Sequence, residues 1–349
     1  MLFNIEETEP VCSGWLIPDN PSAPTALLLV TEGGRRRREI RAQVARPDLA
    51  GSGLFPAGNP GFRMDETVDP ALVAGEPYEL YELASNTLVF RRAPGADLPL
   101  RVFHLETQTN PVYPVSRHLS PWIRMIYGQL EMMTHETLSS IVRVDWQSVL
   151  LSGGTFYRNY EAALRQREYI RIALLSRPER EFASKLLRIK ALADNPANRT
   201  GWRTLGQADL MAALADIDIT NVQALGRVLS RLDDETAMTI ANPTTRKLVA
   251  NLPNLPLDKH HVGSALSSLA TFDLVGFDDD LDGFVDTLEA LVGLDGLPRD
   301  AIAGPPELDA VVEAVAECRA AQELLDLDEG VFTLARTAFD KARAEDEVA

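Results

Sequence analysis

The chain has 349 residues, 45% of them hydrophobic and 24% charged, a composition that excludes wholesale disorder and fibrous repeats and fits one large domain or two smaller ones. Its net charge of −17 sits at the back: residues 201–349 hold 28 acids against 11 Lys plus Arg, whereas residues 1–200 hold 23 of each sign. That second half repels nucleic-acid backbones and anionic membranes, which argues against a general nucleic-acid binder and places any anionic ligand in the front.

In chain order, the first hundred residues alternate turn formers with short apolar runs. TALLLVTE, REIRAQVA, YELYEL and NTLVFRR predict strands, separated by DNPSAP, EGG, GSGLFPAGNPG and APGADLP. This spacing predicts an all-β sandwich over 1–98. The arginine tetrad 35–38 suggests an anion patch or, more commonly for such a run, a solvated hairpin turn. Cys12 and Cys318 lie at opposite ends, so they form neither a disulfide framework nor a zinc site. The amino terminus has no basic region, and no stretch approaches the ~20 apolar residues of a membrane helix, so a soluble, cytoplasmic protein is expected.

After Pro99, strand-length apolar runs alternate with helical periodicity. LRVFHLET, WQSVLLSGG and EYIRIALLSRP predict strands; PWIRMIYGQLEMMTHETLSSIVRV, YRNYEAALRQ and EREFASKLLRIKALAD predict helices. The alternation implies an α/β domain over 99–349, a parallel sheet flanked by helices. Ligands in such sheets bind beyond the carboxyl ends of the strands, which directs attention to the loops after Leu105, Ser152 and Ser176. From residue 201 on, the pattern is almost all helical: MAALADI, VQALGRVLSRL, VGSALSSLATF, FVDTLEALVGL, ELDAVVEAVAECRAAQELL and EGVFTLARTAFDKARAE, with DLVGFDD as a late strand. Asp278, Asp280, Asp282, Gly283 and Glu289 fall at calcium-loop spacing. Phe284, Val285 and Leu288 fit an amphipathic helix from Asp282, so the acids read as a charged helix start.

Several motifs carry a resemblance. Gly14-Trp15, Asp19, Pro21, Arg46 to Leu49 and Gly61-Phe62-Arg63 resemble a small β module attached to transferases that build bacterial surface polysaccharides. VFHLETQTNPVYPVS, then the strand ending at Ser176-Arg177-Pro178 with Ser184 on the next helix, then Asn242, Thr245, Arg246, Phe272, Val275 and Gly276, are similar to the carbohydrate sulfotransferases, spanning residues 100–340. The resemblance implies a sulfotransferase-like, P-loop type fold and the donor 3′-phosphoadenosine 5′-phosphosulfate, held by Thr107, Thr109, Arg177, Arg180, Ser184 and Arg246. Glu106, Gln108 and Asn110 stand where the family has a lysine and glycines. Ser176 stands at its 3′-phosphate arginine and Gly154 at its histidine.

Sulfuryl transfer needs a fixed donor, neutralised charge and a base for the acceptor hydroxyl. Glu106 and His135 are the candidate catalytic residues, with His118 and Glu131 also in loops. Two functions are open: transfer of a sulfuryl group to a sugar hydroxyl of a cell-surface or capsular glycan, or a non-catalytic glycan-binding or scaffold role with a degenerate donor site.

Overall fold

The computed structural model describes residues 1–8, 11–20, 24–31, 34–53, 59–72, 76–193 and 208–346. Pro21 of the β-module pattern and the centre of the GSGLFPAGNPG turn lie outside them.

The described chain divides into two compact units, one formed by 1–103, 115–152 and 163–170 and the other by 104–114, 153–162 and 171–349. Residue 98, the expected boundary, falls inside the first unit.

The front of the first unit holds two antiparallel sheets. One has the order β1-β2-β5, with β1 Leu2–Glu7, β2 Cys12–Ile17 and β5 Gly61–Met64; the other has the order β4-β3-β6-β7, with β3 Ala26–Thr31, β4 Arg36–Arg41, β6 Tyr78–Glu82 and β7 Leu88–Arg92. Four of these strands match the predicted runs. β1, β2 and β5 do not; β2 and β5 carry glycine, which weakens a strand pattern. In β2, Gly14 pairs with Ile5, and a Cβ there would collide with the Asn4 carbonyl, so glycine permits the close approach. A helix α1, Pro47–Gly51, interrupts the β pattern.

The arginine tetrad corrects a prediction. Arg36 to Arg38 are not a turn but the start of edge strand β4, paired along its length with β3. Arg36 reaches the buried carboxylate of Asp69 at 2.9 Å, and Arg38 donates to the Val68 carbonyl at 2.6 Å. Charged side chains on an edge strand also discourage pairing with another chain.

Five strands form the parallel sheet, in the order β12-β11-β8-β10-β9. They are β8 Arg101–Leu105, β9 Met125–Gly128, β10 Val149–Gly153, β11 Ile170–Leu175 and β12 Leu274–Phe277. Central β8 is buried from Val102 to Leu105, as expected of a strand covered on both faces. The predicted long helix over PWIRMIYGQLEMMTHETLSSIVRV is instead α2 at Val115–Leu119 before it, strand β9 within it, and α3 at His135–Arg143. Ile123, Ile126, Tyr127 and Leu130 have helical spacing, but Met125 to Gly128 pair in register with Val149 to Ser152. Thr134, whose hydroxyl accepts the Thr137 N–H at 3.2 Å, starts the true helix.

The remaining helices are α4 Glu161–Gln166, α5 Pro178–Ala193, α6 Ala208–Ala215, α7 Val222–Leu229, α8 Asp234–Ile240, α9 Pro243–Val249, α10 His260–Leu269, α11 Leu281–Val292, α12 Leu308–Glu317 and α13 Arg319–Asp346. A core of Phe182, Leu186, Leu210, Leu214, Leu225, Val311, Val315 and Leu325 joins α5, α6, α7, α12 and α13. The residues at calcium-loop spacing run from the end of β12 into α11, with Asp280 as N-cap. Gly276 on β12 lies under the ring of Phe284 on α11, where a Cβ would collide. Two predicted helices also shift. The first breaks at Cys318, which is extended, and its second half fuses with the last into the 28-residue α13.

Candidate functional site

In this strand order, the chain leaves β8 toward one edge of the sheet and leaves β11 toward the other. A crevice opens where such connections diverge. It is occupied by a cleft of about 450 Å³ lined by Gln108, Asn110, Pro111 and Val112 from the loop after β8, by Ser176 and one face of α5, and by the segments 302–305 and 307–308. That volume is in the range of small-ligand sites.

On α5, Arg180, Ser184 and Arg188 are spaced four apart and so share one face; all three line the cleft. Arg180 is loosely paired, with Nε 3.7 Å from Asp278 and Nη1 3.8 Å from the exposed Asp309. Arg188 donates to the Thr109 carbonyl at 3.3 Å. The floor is an oriented chain of hydrogen bonds. The Val112 N–H donates to Gln108 Oε1 at 2.9 Å, which turns Gln108 Nε2 toward Ser176 Oγ at 2.6 Å. Ser176 in turn donates to Asp278 Oδ2 at 2.6 Å. Because the direction of every proton in this chain is set, Ser176 keeps one lone pair and Gln108 one N–H for a ligand. Burial raises the Asp278 pKa, opposed by the Ser176 bond and the Arg180 charge.

The loop from Glu106 to Asn110 is held from within. Thr107 is buried and its hydroxyl donates to the Leu174 carbonyl at 2.6 Å. The Thr109 N–H and hydroxyl donate to the two carboxylate oxygens of Glu181 at 2.7 and 2.5 Å. Lys247, on α9, donates to the carbonyls of Glu106 and Thr107 at 3.0 and 2.9 Å. Glu181 is 4% exposed, and burial raises its pKa against the Lys247 charge and the Thr109 bonds. Lys185 lies one turn away and donates to the Thr239 carbonyl at 2.9 Å. Burial, then the Lys247 charge, pushes its pKa down to about 8, opposed by Glu181 and Asp328.

A second polar joint fixes α9, and with it Lys247. Asp328, buried in α13, accepts the N–H groups of Thr244 and Thr245 at 3.0 and 2.7 Å. Asn242 returns the contact: its Oδ1 accepts from the Leu327 and Asp328 N–H groups at 2.9 and 3.1 Å. Asn242 sits at φ 47°, a left-handed conformation that Asn tolerates better than most residues.

Of the sequence candidates, Arg180 and Ser184 line the cleft, while Thr107 and Thr109 are bonded beneath it. Arg177 is exposed beside Pro178 and does not line the cleft. Arg246 is buried and donates to the carbonyls of Pro253 and Leu255 at 2.9 and 2.8 Å, anchoring the turn after α9. Glu106 is half-buried, and its N–H donates to the Gly153 carbonyl at 3.0 Å. His135 is in the first unit, exposed at the start of α3, with Nε2 3.4 Å from Ser139 Oγ. His118 is half-buried in α2, and Glu131 is exposed. Sequence reasoning missed Glu181, Lys247 and Arg188, and read Asp278 only as part of an acidic helix start. Of the three missed, only Arg188 had a signal, its spacing of eight from Arg180.

Among the described residues lining the cleft there is no His, Cys or Lys. The arrangement offers two guanidinium groups, an oriented amide and two hydroxyls beside the carboxylates of Glu181 and Glu307, which suits holding a hydroxylated ligand. No protein-family model, curated protein or solved structure matches this chain.

Proposed function

We propose that the second unit binds a carbohydrate, preferring one with an acidic group, in the cleft between the loop after β8 and α5, and that it transfers no sulfuryl group. The observation supporting this reading is the inward commitment of the loop. A phosphosulfate anchor needs backbone N–H groups and hydroxyls turned toward the ligand. Here Thr109 gives both to Glu181, so neither is turned toward the cleft to grip a phosphosulfate. Gln108, Ser176 and Ser184 present the mixed donors and acceptors that sugar hydroxyls match, and Arg180 and Arg188 provide local positive charge in an otherwise acidic half. The glycan-binding alternative from the sequence is thus preferred to the sulfotransferase one.

One observation favours the second reading. Lys247 brings an ammonium to the loop whose sequence lacks a lysine, and one of its three N–H groups is not accounted for by those two carbonyls. Titration calorimetry separates the two. Trigalacturonate is expected to bind wild type and to lose binding in Ser184→Trp, which fills the cleft; adenosine 3′,5′-bisphosphate is expected not to bind. Tight bisphosphate binding lost in Lys247→Met would instead establish the transferase reading.

A further inference from the structure

The first unit contains a second cleft, of about 270 Å³, whose lining includes the β6–β7 turn and the segment from the end of β9 into α3. Two residues on it have left-handed backbones that are unusual for side chains: Asn86 at φ 54° and Gln129 at φ 55°. Asn in a turn tolerates this conformation, but Gln does so rarely. Gln129 directly follows Gly128, the last residue of β9, so it stands at the carboxyl end of a parallel strand, where such sheets place their ligands. Backbone strain held in a cleft points to function when the strained residue is the one facing the cleft.

The lining decides the ligand by elimination. Among the described residues on this cleft there is no Arg, Lys or His to meet an anion, and the one ammonium beside it, that of Met1, is already held by Asp19 and Thr137. It has one carboxylate, Asp19, too few for a hard cation that takes six or more oxygens. Among the described residues, none bonds to the amides of Asn86 or Gln129, so each presents an acceptor and donors outward. Met132, 69% exposed on the rim, and Tyr81 add apolar surface. Paired amides and apolar surface together match a neutral sugar, whose hydroxyls both donate and accept and whose C–H faces are apolar.

We propose that this cleft is a binding site for a neutral sugar residue, with the Asn86 and Gln129 amides as its recognition groups. It is separate from the cleft of the second unit and differs from it in charge preference.

The test uses the full chain and maltotriose as the probe, by titration calorimetry, with thermal unfolding in parallel. Gln129→Gly and Asn86→Gly each remove one amide and keep the left-handed backbone permitted. Both are expected to weaken maltotriose binding at least tenfold. Gln129→Gly is expected to leave the unfolding midpoint unchanged or raised by up to ~2 °C, because strain is relieved. If Gln129→Gly fails to fold, Asn86→Gly decides. No maltotriose binding by wild type, undiminished binding in the folded variants, or binding abolished by Ser184→Trp but not by these variants would overturn the proposal.

Discussion

The loops that follow β8 and β9 are both at carboxyl ends of strands in one sheet, yet they are built in opposite ways. After β8, the groups of Thr107 and Thr109 are claimed by Leu174, Glu181 and Arg188, and the loop carbonyls by Lys247. After β9, Gln129 holds a left-handed backbone with its amide outward. The first loop is made rigid by buried charge, at a desolvation cost visible in the shifted Glu181 and Lys185. The second retains local strain and leaves its recognition group free. A rigid frame positions side chains brought by other elements, such as Arg180, whereas the strained turn presents its own.

The largest expected effect breaks the first loop. Glu181→Ala strands the Thr109 N–H and hydroxyl and takes from Lys185 and Lys247 one of the two carboxylates they share, leaving Asp328. A loss of about 3–5 kcal/mol in urea unfolding is expected, the range for removing one member of a buried ion network. Glu181→Gln keeps an acceptor and should lose distinctly less; equal losses would mean that packing rather than hydrogen bonding holds the loop.

Next comes the strand that carries this loop. His104 is 3% exposed in β8, and burial lowers its pKa to about 4 from 6.5. A base with a depressed folded pKa binds fewer protons folded than unfolded between those values. Its favourable effect is therefore complete above pH 6.5 and is lost as pH falls toward 4. From pH 7 to 4, wild type should lose roughly 3 kcal/mol more than His104→Asn. Parallel losses in the two proteins would show that His104 does not titrate in this way.

A smaller loss, about 2 kcal/mol, is expected for Lys247→Met, which removes two charge-assisted bonds to carbonyls but keeps the aliphatic stem in place. Amide hydrogen exchange should locate the loosening at residues 106–110. Protection there unchanged from wild type would remove Lys247 from the frame.

The smallest effect sharpens the other side of the comparison. Gln129→Gly should change stability by no more than about 1 kcal/mol, in the stabilising direction, since relief of the left-handed backbone is offset by glycine's greater unfolded freedom. A clear destabilisation would mean that the Gln129 side chain packs structurally and is not held in reserve for a ligand.

Much of the frame was legible in the sequence because local pattern and final environment agree. The apolar runs of β8, β10, β11 and β12 are buried strands, and PEREFASKLLRIKALA is α5, with its Arg180 and Ser184 on the cleft. Where they disagree, pattern misled. β9 has helical spacing but pairs with β10, a four-residue strand whose identity comes from its partner. The run through Cys318 is uninterrupted helix in sequence and bends in the fold, where the thiol is buried.

The sequence by itself therefore determined the alternation of strands and helices, the acidic balance of the second half and the α5 face, because each depends on residues within one or two turns of each other. Only the tertiary structure decided the site. Glu181 meets Thr109 across 72 positions, and Lys247 meets Glu106 across 141. Neither pairing has a sequence period. Both exist because burying a loop obliges its polar groups to find partners, and the partners come from whichever helix the fold brings within reach.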